Sequence, residues 1–159
     1  MLDGPTIASS IHDAGFSHVV WIPDSHLGTW ETAIEQSSLV LVRPTREGEA
    51  VAIAAGLLIG GAKPLVLVQC TGFFEAGDAV RNVVHDMKLP LKLVVGVRSW
   101  QAVREGKSKD NCPAFAEPVV RAWGLPFTWI EPTADIATCR TAFATLAAAD
   151  SASVLLWAE

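Results

Sequence analysis

Residues 43–56 read RPTREGEAVAIAAG, with two glutamates, Glu47 and Glu49, at the head of an apolar run, Ala50 to Ile59, whose composition suits burial. The run is too long for a strand and is built from small and aliphatic residues, which predicts a helix over Glu47–Ile59. Apolar residues all round a helix mean contact on every side, and small ones let another backbone approach closely. Successive residues step about 100° around a helix, so Glu47 and Glu49 point to different sides and cannot both face one cavity. Each carboxylate has two readings at this stage. It either favours the positive end of the helix dipole, or it is a proton-handling group kept away from water.

Outward from this stretch, strand-like and helix-like segments alternate. Strands are predicted at His18–Ile22, Leu39–Val42, Pro64–Gln69, Leu91–Val97, Phe127–Ile130 and Ser153–Trp157. Helices are predicted at Pro5–Ala14, Gly28–Gln36, Glu47–Ile59, Glu75–Met87, Ala114–Trp123 and Ala134–Ala148. Pro5 and Gly15 bracket the first helix, and Thr133 is the expected N-cap of the last. The alternation predicts one three-layer α/β domain, a six-stranded mostly parallel sheet with helices on both faces. Several strands are unbroken β-branched runs, as expected where both sheet faces are covered. The polar, charged segment Arg98–Asn111 (RSWQAVREGKSKDN) reads as a mobile surface loop.

Length and composition fit this picture. The chain has 159 residues, which suits a single domain. Half of its residues are hydrophobic and 18% are charged, an apolar load that predicts contact with a partner. A net charge of −5 and the lack of a basic patch interleaved with aromatics argue against nucleic acid. The apolar runs are too short to cross a bilayer, and no leader pattern opens the chain, so a cytoplasmic protein without membrane attachment is expected. Three widely spaced cysteines, Cys70, Cys112 and Cys139, form no C-x-x-C pair and read as reduced thiols, with Cys70 a small buried hydrophobe.

Ligands of open α/β sheets gather beyond the carboxyl ends of the strands. That directs attention to IPDSH (22–26), RPTREGE (43–49), QCTGFFEAGD (69–78) and the 98–111 segment. None holds a P-loop, and no G-x-G-x-x-G follows the first strand. Neither a G-x-S-x-G elbow nor an H-E-x-x-H pair is present, and His12, His18, His26 and His85 are scattered, so no metal ligand is assigned.

Taken together, T-R-E-G-E-A-V-A-I-A-A-G, the Trp21–Ile22–Pro23–Asp24–Ser25 turn, Gln69–Cys70–Thr71–Gly72 and Leu89–Pro90–Leu91 resemble, in order and spacing, the pyrimidine-binding domain of thiamine diphosphate-dependent enzymes. Within that family the chain is most similar to sulfopyruvate decarboxylase alpha subunits and the matching half of phosphonopyruvate decarboxylases. The resemblance implies that residues 1–159 form one such domain. It also implies that Glu47, rather than Glu49, hydrogen-bonds N1′ of the cofactor's aminopyrimidine, so that the ring's exocyclic nitrogen can remove the thiazolium C2 proton. Sharing a proton with a weakly basic ring requires a raised carboxyl pKa, which an apolar setting supplies by penalising the ionised form. By the same comparison Pro23, Thr71, Gly72 and Phe73 would contact the cofactor. Asp24, Ser25, His26 and Arg98 would meet the carboxylate or anionic tail of a small 2-oxo acid.

Relatives hold the cofactor's diphosphate through Mg2+ with a G-D-G motif and a downstream asparagine pair. Gly77–Asp78–Ala79 is the nearest approach here and no asparagine pair follows. The resemblance therefore implies a separate diphosphate-binding chain that brings the magnesium ligands, a hetero-oligomer, and no activity without that partner. The family S-G-L-G-N stretch is replaced by Thr71–Gly72–Phe73–Phe74–Glu75, where Phe73 and Phe74 would narrow the pocket and Glu75 add charge. Each of these assignments has a plainer counterpart. Asp24 or Ser25 can be an N-cap, His26 solvent-exposed, and Arg98, Arg104, Lys107 and Lys109 a solvated face diluted by Glu105 and Asp110. Trp100, Trp123, Trp129 and Trp157 are expected in the core or an interface, and His85 is structural. An acetolactate-synthase-like carboligase subunit and a non-catalytic scaffold or regulatory domain share the fold and stay open.

Overall fold

The computed structural model describes residues 2–25 and 27–159. Its centre is a six-stranded sheet of β1 (His18–Trp21), β2 (Val40–Val42), β3 (Pro64–Gln69), β4 (Lys92–Val97), β5 (Phe127–Ile130) and β6 (Ser153–Ala158), in the order β2-β1-β3-β4-β6-β5. Every pairing is parallel, with His18 opposite both Val40 and Pro64, and Val94 opposite Leu67 and Leu155. The expected α/β class holds, and the sheet is wholly rather than mostly parallel. Chain order reverses direction across the sheet between β1 and β3, so the crevice at their carboxyl ends is the place for a ligand.

Strand periodicity divides the core in two. On one face Val20, Val66, Val68, Leu93, Val95, Val97, Val154 and Leu156 pack beneath α3 (Glu47–Ile59), α4 (Cys70–Glu75), α5 (Gly77–Arg81) and α7 (Cys112–Ala122). On the other, Val19, Trp21, Leu65, Leu67, Val94, Leu155 and Trp157 meet α1 (Gly4–Asp13), α2 (Glu31–Glu35) and α8 (Ile136–Ala148). Burying both faces explains the unbroken apolar strands, since neither parity of side chain reaches water.

Helix ends follow local chemistry. Asp3 accepts from the Thr6 amide at 2.8 Å and caps α1, which ends before Gly15 at φ +92°. The expected Thr133 cap of α8 is replaced by Asp135, which accepts from the Thr138 amide at 2.8 Å. A charged acceptor in extended backbone three residues before an unpaired amide outcompetes a hydroxyl lying two residues further out.

Three further expectations change. The predicted 75–87 helix starts earlier, at Cys70, directly from the end of β3, and continues through α5 into a π-helical turn, Asn82–Asp86. The 98–111 segment is not irregular throughout. It contains α6 (Trp100–Arg104), with Arg104 4.2 Å over the Trp100 ring, Trp100 against Trp129 at 5.6 Å, and Arg98 bridging to Asp110. Finally, α3 is apolar all round yet half uncovered: Ala50, Val51, Ala54 and Ala55 are buried, while Ala52, Gly56 and Ile59 are exposed. Among the described residues no helix is long and apolar enough to cross a membrane.

Candidate active site at the carboxyl ends of the strands

The start of α3 separates its two glutamates by role. Glu49 turns back, its Oε2 accepting from the Thr45 amide at 2.7 Å and the Thr45 hydroxyl at 2.8 Å. These two donors hold Glu49 below the usual glutamate range, the Thr45 amide being the largest cause and its hydroxyl next. A second carboxylate comes from the chain after β3: Glu75 accepts from the Gly48 amide at 3.0 Å and from Arg46 Nη2 at 2.6 Å. Glu75 is thus spent on the α3 terminus and on Arg46, instead of adding loose charge to a pocket.

Glu47 lies between these two and takes part in neither. It is half-buried, and among the described residues its carboxylate makes no hydrogen bond or ion pair. Its side chain rests on Gly72: a Cβ built there would collide with Glu47 Oε1, Cγ and Cδ. Gly72 is buried inside α4 with ordinary helical backbone, so a close approach, not an unusual φ, accounts for glycine at this position. The structure therefore joins RPTREGE and QCTGFFEAGD, and does so through the residues singled out for cofactor contact.

The other assigned residues divide. Thr71 is exposed and donates to Gln69 Oε1 at 3.2 Å. Phe73 is fully buried in the core beneath α4, so its ring cannot narrow a pocket or stack on a cofactor; the helix beginning at Cys70 turns it inward. Pro23 and Asp24 are half-buried and Ser25 is exposed. Asp24 Oδ1 accepts from the Leu27 amide at 2.8 Å, capping the 3-10 turn Leu27–Trp30 as its plainer reading required. His26 lies outside the described residues. Arg98 Nε donates to Asp110 Oδ2 at 2.9 Å, and Asp110 Oδ1 accepts from the Cys112 amide at 3.0 Å, so the guanidinium is already engaged.

Cys70 is fully buried, its thiol pushed up to about 12 by burial first and by neighbouring Cys112 second, which suits an inert packing residue. His85 Nε2 lies 2.9 Å from the Trp123 carbonyl, bracing the π-helical turn. One residue went unmarked in the sequence reading: Glu159, at the end of β6, places both carboxylate oxygens out of solvent beside Gly96. A groove of about 740 Å³ runs along the uncovered face of α3, from Arg46 and Gly48 past Ala52 and Gly56 to Ile59 and Met87. Glu47 is not part of its wall.

Comparison with solved structures decides the fold. Benzoylformate decarboxylase from Polynucleobacter necessarius superposes over 99% of this chain and 30% of its own, with a TM-score of 0.74 and 20% identity. The thiamine diphosphate-dependent 4-hydroxybenzoylformate decarboxylase of Rhodococcus jostii RHA1 does so over the same shares, with a TM-score of 0.68 and 20% identity. The fold is that of the pyrimidine-binding domain of thiamine diphosphate-dependent enzymes.

The chain also has sequence relatives among curated proteins. Sulfopyruvate decarboxylase subunit alpha of Methanocaldococcus jannaschii is 26% identical over 131 residues, 82% of this chain and 69% of its own. Sulfopyruvate decarboxylase of Methanosarcina acetivorans is 30% identical over 94 residues, 58% of this chain. The match spans only 24% of the M. acetivorans protein. No family model matches the chain.

Proposed function

We propose that this chain, over residues 1–159, is the pyrimidine-binding alpha subunit of a thiamine diphosphate-dependent 2-oxo acid decarboxylase, with Glu47 as its catalytic residue. One observation carries the reading: the only glutamate of the α3 terminus not used as a cap or ion-pair partner, among the described residues, is the one seated on Gly72. A carboxyl group with free hydrogen-bonding capacity over a bare Cα fits a flat heterocycle bearing a ring nitrogen. When bound, the cofactor supplies the electron sink for loss of carbon dioxide.

The chain's own residues do the rest. Glu47 holds the proton that the ring nitrogen shares, and the step from Gly72 to Thr71 gives the ring backbone to rest against. Pro23 leads the Pro23–Ser25 turn from the carboxyl end of β1, next to β3, where the Ser25 hydroxyl would meet the substrate's carboxylate while Asp24 stays on the Leu27 cap. Arg98, already held by Asp110, contributes positive potential there more than a direct grip.

A separate diphosphate-binding chain completes the site and brings the Mg2+ ligands, and the exposed Ala52, Gly56 and Ile59 of α3 are apolar surface that such a partner can cover. The test is reconstitution. The chain is mixed with a partner carrying G-D-G and an asparagine pair, thiamine diphosphate and Mg2+, and 2-oxo acid turnover is compared between wild type and Glu47→Gln. A loss of about 100-fold or more in kcat is expected. Equal rates would remove Glu47 from the mechanism, and carbon dioxide released together with a ligated hydroxy-keto product in place of free aldehyde would make the chain a carboligase subunit.

A further inference from the structure

Glu159 is a carboxylate where the fold offers it nothing. Both side-chain oxygens are buried and without a hydrogen-bond partner among the described residues. Its backbone is fixed on two sides, the amide donating to the Val97 carbonyl at 3.2 Å and the carbonyl accepting from the Gln101 amide at 2.9 Å. The side chain then has one course, across Gly96, where a Cβ would collide with Oε1 and also come within 3.1 Å of Leu27 Cδ1. Leu27 begins the turn that Asp24 caps. Glu159 and Leu27 thus share the space over Gly96 at the end of β4, close enough to Asp24 for its charge to act on the Glu159 carboxyl.

An ionised carboxylate without donors is strongly disfavoured in such a place, and the ordinary escape is to keep the proton. The charges facing it divide, with the balance against ionisation. Asp24, from the β1 turn, opposes ionisation; Arg98, from the end of β4, favours it but is already paired with Asp110; α6 offers only uncharged Gln101; and Glu131, after β5, shares with Glu159 a cleft of about 270 Å³. Burial first and Asp24 second push Glu159 up to about 8.

We propose that Glu159 is a positioning residue for the Pro23–Ser25 turn: it is held as the neutral acid, and its ionisation sets a second negative charge beside Asp24 that loosens the cap on Leu27. The functional consequence rests on the proposed decarboxylase reading. An anionic 2-oxo acid meets one carboxylate at neutral pH, and two with a displaced turn in alkali.

The test needs neither cofactor nor partner, so its failure is separate from failure of the Glu47 assay. The full chain, labelled with 13C and 15N, is titrated by NMR from pH 6 to 9.5. The Glu159 carboxyl carbon is expected to titrate near pH 8, and the Leu27 amide proton, which reports the 2.8 Å bond to Asp24, to move with the same midpoint. In Glu159→Gln the Leu27 signal should stay flat, and in Asp24→Asn the Glu159 midpoint should move toward acid. A Glu159 carboxyl already ionised at pH 6, a Leu27 amide that ignores its titration, or a midpoint unmoved in Asp24→Asn would each overturn the proposal.

Discussion

The Glu47 carboxylate lies against the bare Cα of Gly72, so two motifs on different strand ends meet at a contact with no room for a further side chain while Glu47 stays in place. What a methyl group would strike is the end of a flexible side chain, not backbone. Gly72→Ala should therefore leave the fold intact and push Glu47 aside, lowering turnover of the assembled enzyme by about 10- to 100-fold, since a displacement near 1 Å suffices for that. In a Glu47→Ala background the three atoms it strikes are gone, and the same substitution within a helix should stabilise by about 0.5–1 kcal/mol. Thermal melts of the four-member cycle, beside activity of the reconstituted enzyme, check both halves.

Glu49 should behave in the opposite way to Glu47. Its carboxylate caps α3 through Thr45, and its pKa is held down by that cap. A depressed carboxyl contributes stability above its ordinary value of 4.5 and loses it as pH falls through the folded value. Glu49→Gln should therefore lower Tm at neutral pH, flatten the acid limb of the stability profile and spare most activity. Glu47→Gln should spare Tm and remove activity. Melting curves from pH 3 to 7 for both variants make the comparison.

How far the sequence disclosed these roles differs by residue. Periodicity marked α3 at Glu47–Ile59 and β3 at Pro64–Gln69 because burial on both sheet faces and a long apolar run leave little choice of structure. Cys70–Thr71–Gly72 fell between the predicted strand Pro64–Gln69 and the predicted helix Glu75–Met87, yet the glycine serves a close approach within a helix. That helix carried Phe73 into the core and Glu75 to the α3 terminus, neither visible from local pattern. Glu159 gave no signal because its burial depends on the register of β6 against Gly96, a contact between distant parts of the chain.

Lys92 is a lysine inside an otherwise apolar strand, only 6% exposed, and it closes the end of α8. Its ammonium donates to the carbonyls of Ala149 and Ser151, each at 2.5 Å, and burial draws its pKa down. Lys92→Met keeps the strand apolar and strands both carbonyls, so a loss of about 1–3 kcal/mol is expected. Lys92→Arg should fare little better, because a planar fork does not reproduce the ammonium's geometry in this space. Urea denaturation of the two variants measures the loss, and a Lys92→Met protein as stable as wild type would show that these carbonyls find other donors.

Stability should also fall in mild alkali, and the sign follows from Glu159. Its folded value, about 8, lies above the ordinary 4.5, so the folded state binds a proton that the unfolded chain has already released. The contribution is complete below 4.5, falls progressively above it and is gone once pH passes 8, short of the ordinary thiol value of 9.0 at which unfolded Cys70 and Cys139 release their protons. Tm should decline from pH 6 to pH 8 in the wild type. Glu159→Gln, neutral at every pH and close in shape, should flatten that decline, whereas Glu159→Ala should flatten it and also lower Tm throughout by leaving a void beside Gly96 and Leu27. A wild-type profile level across this range would mean that the carboxylate ionises in place without cost.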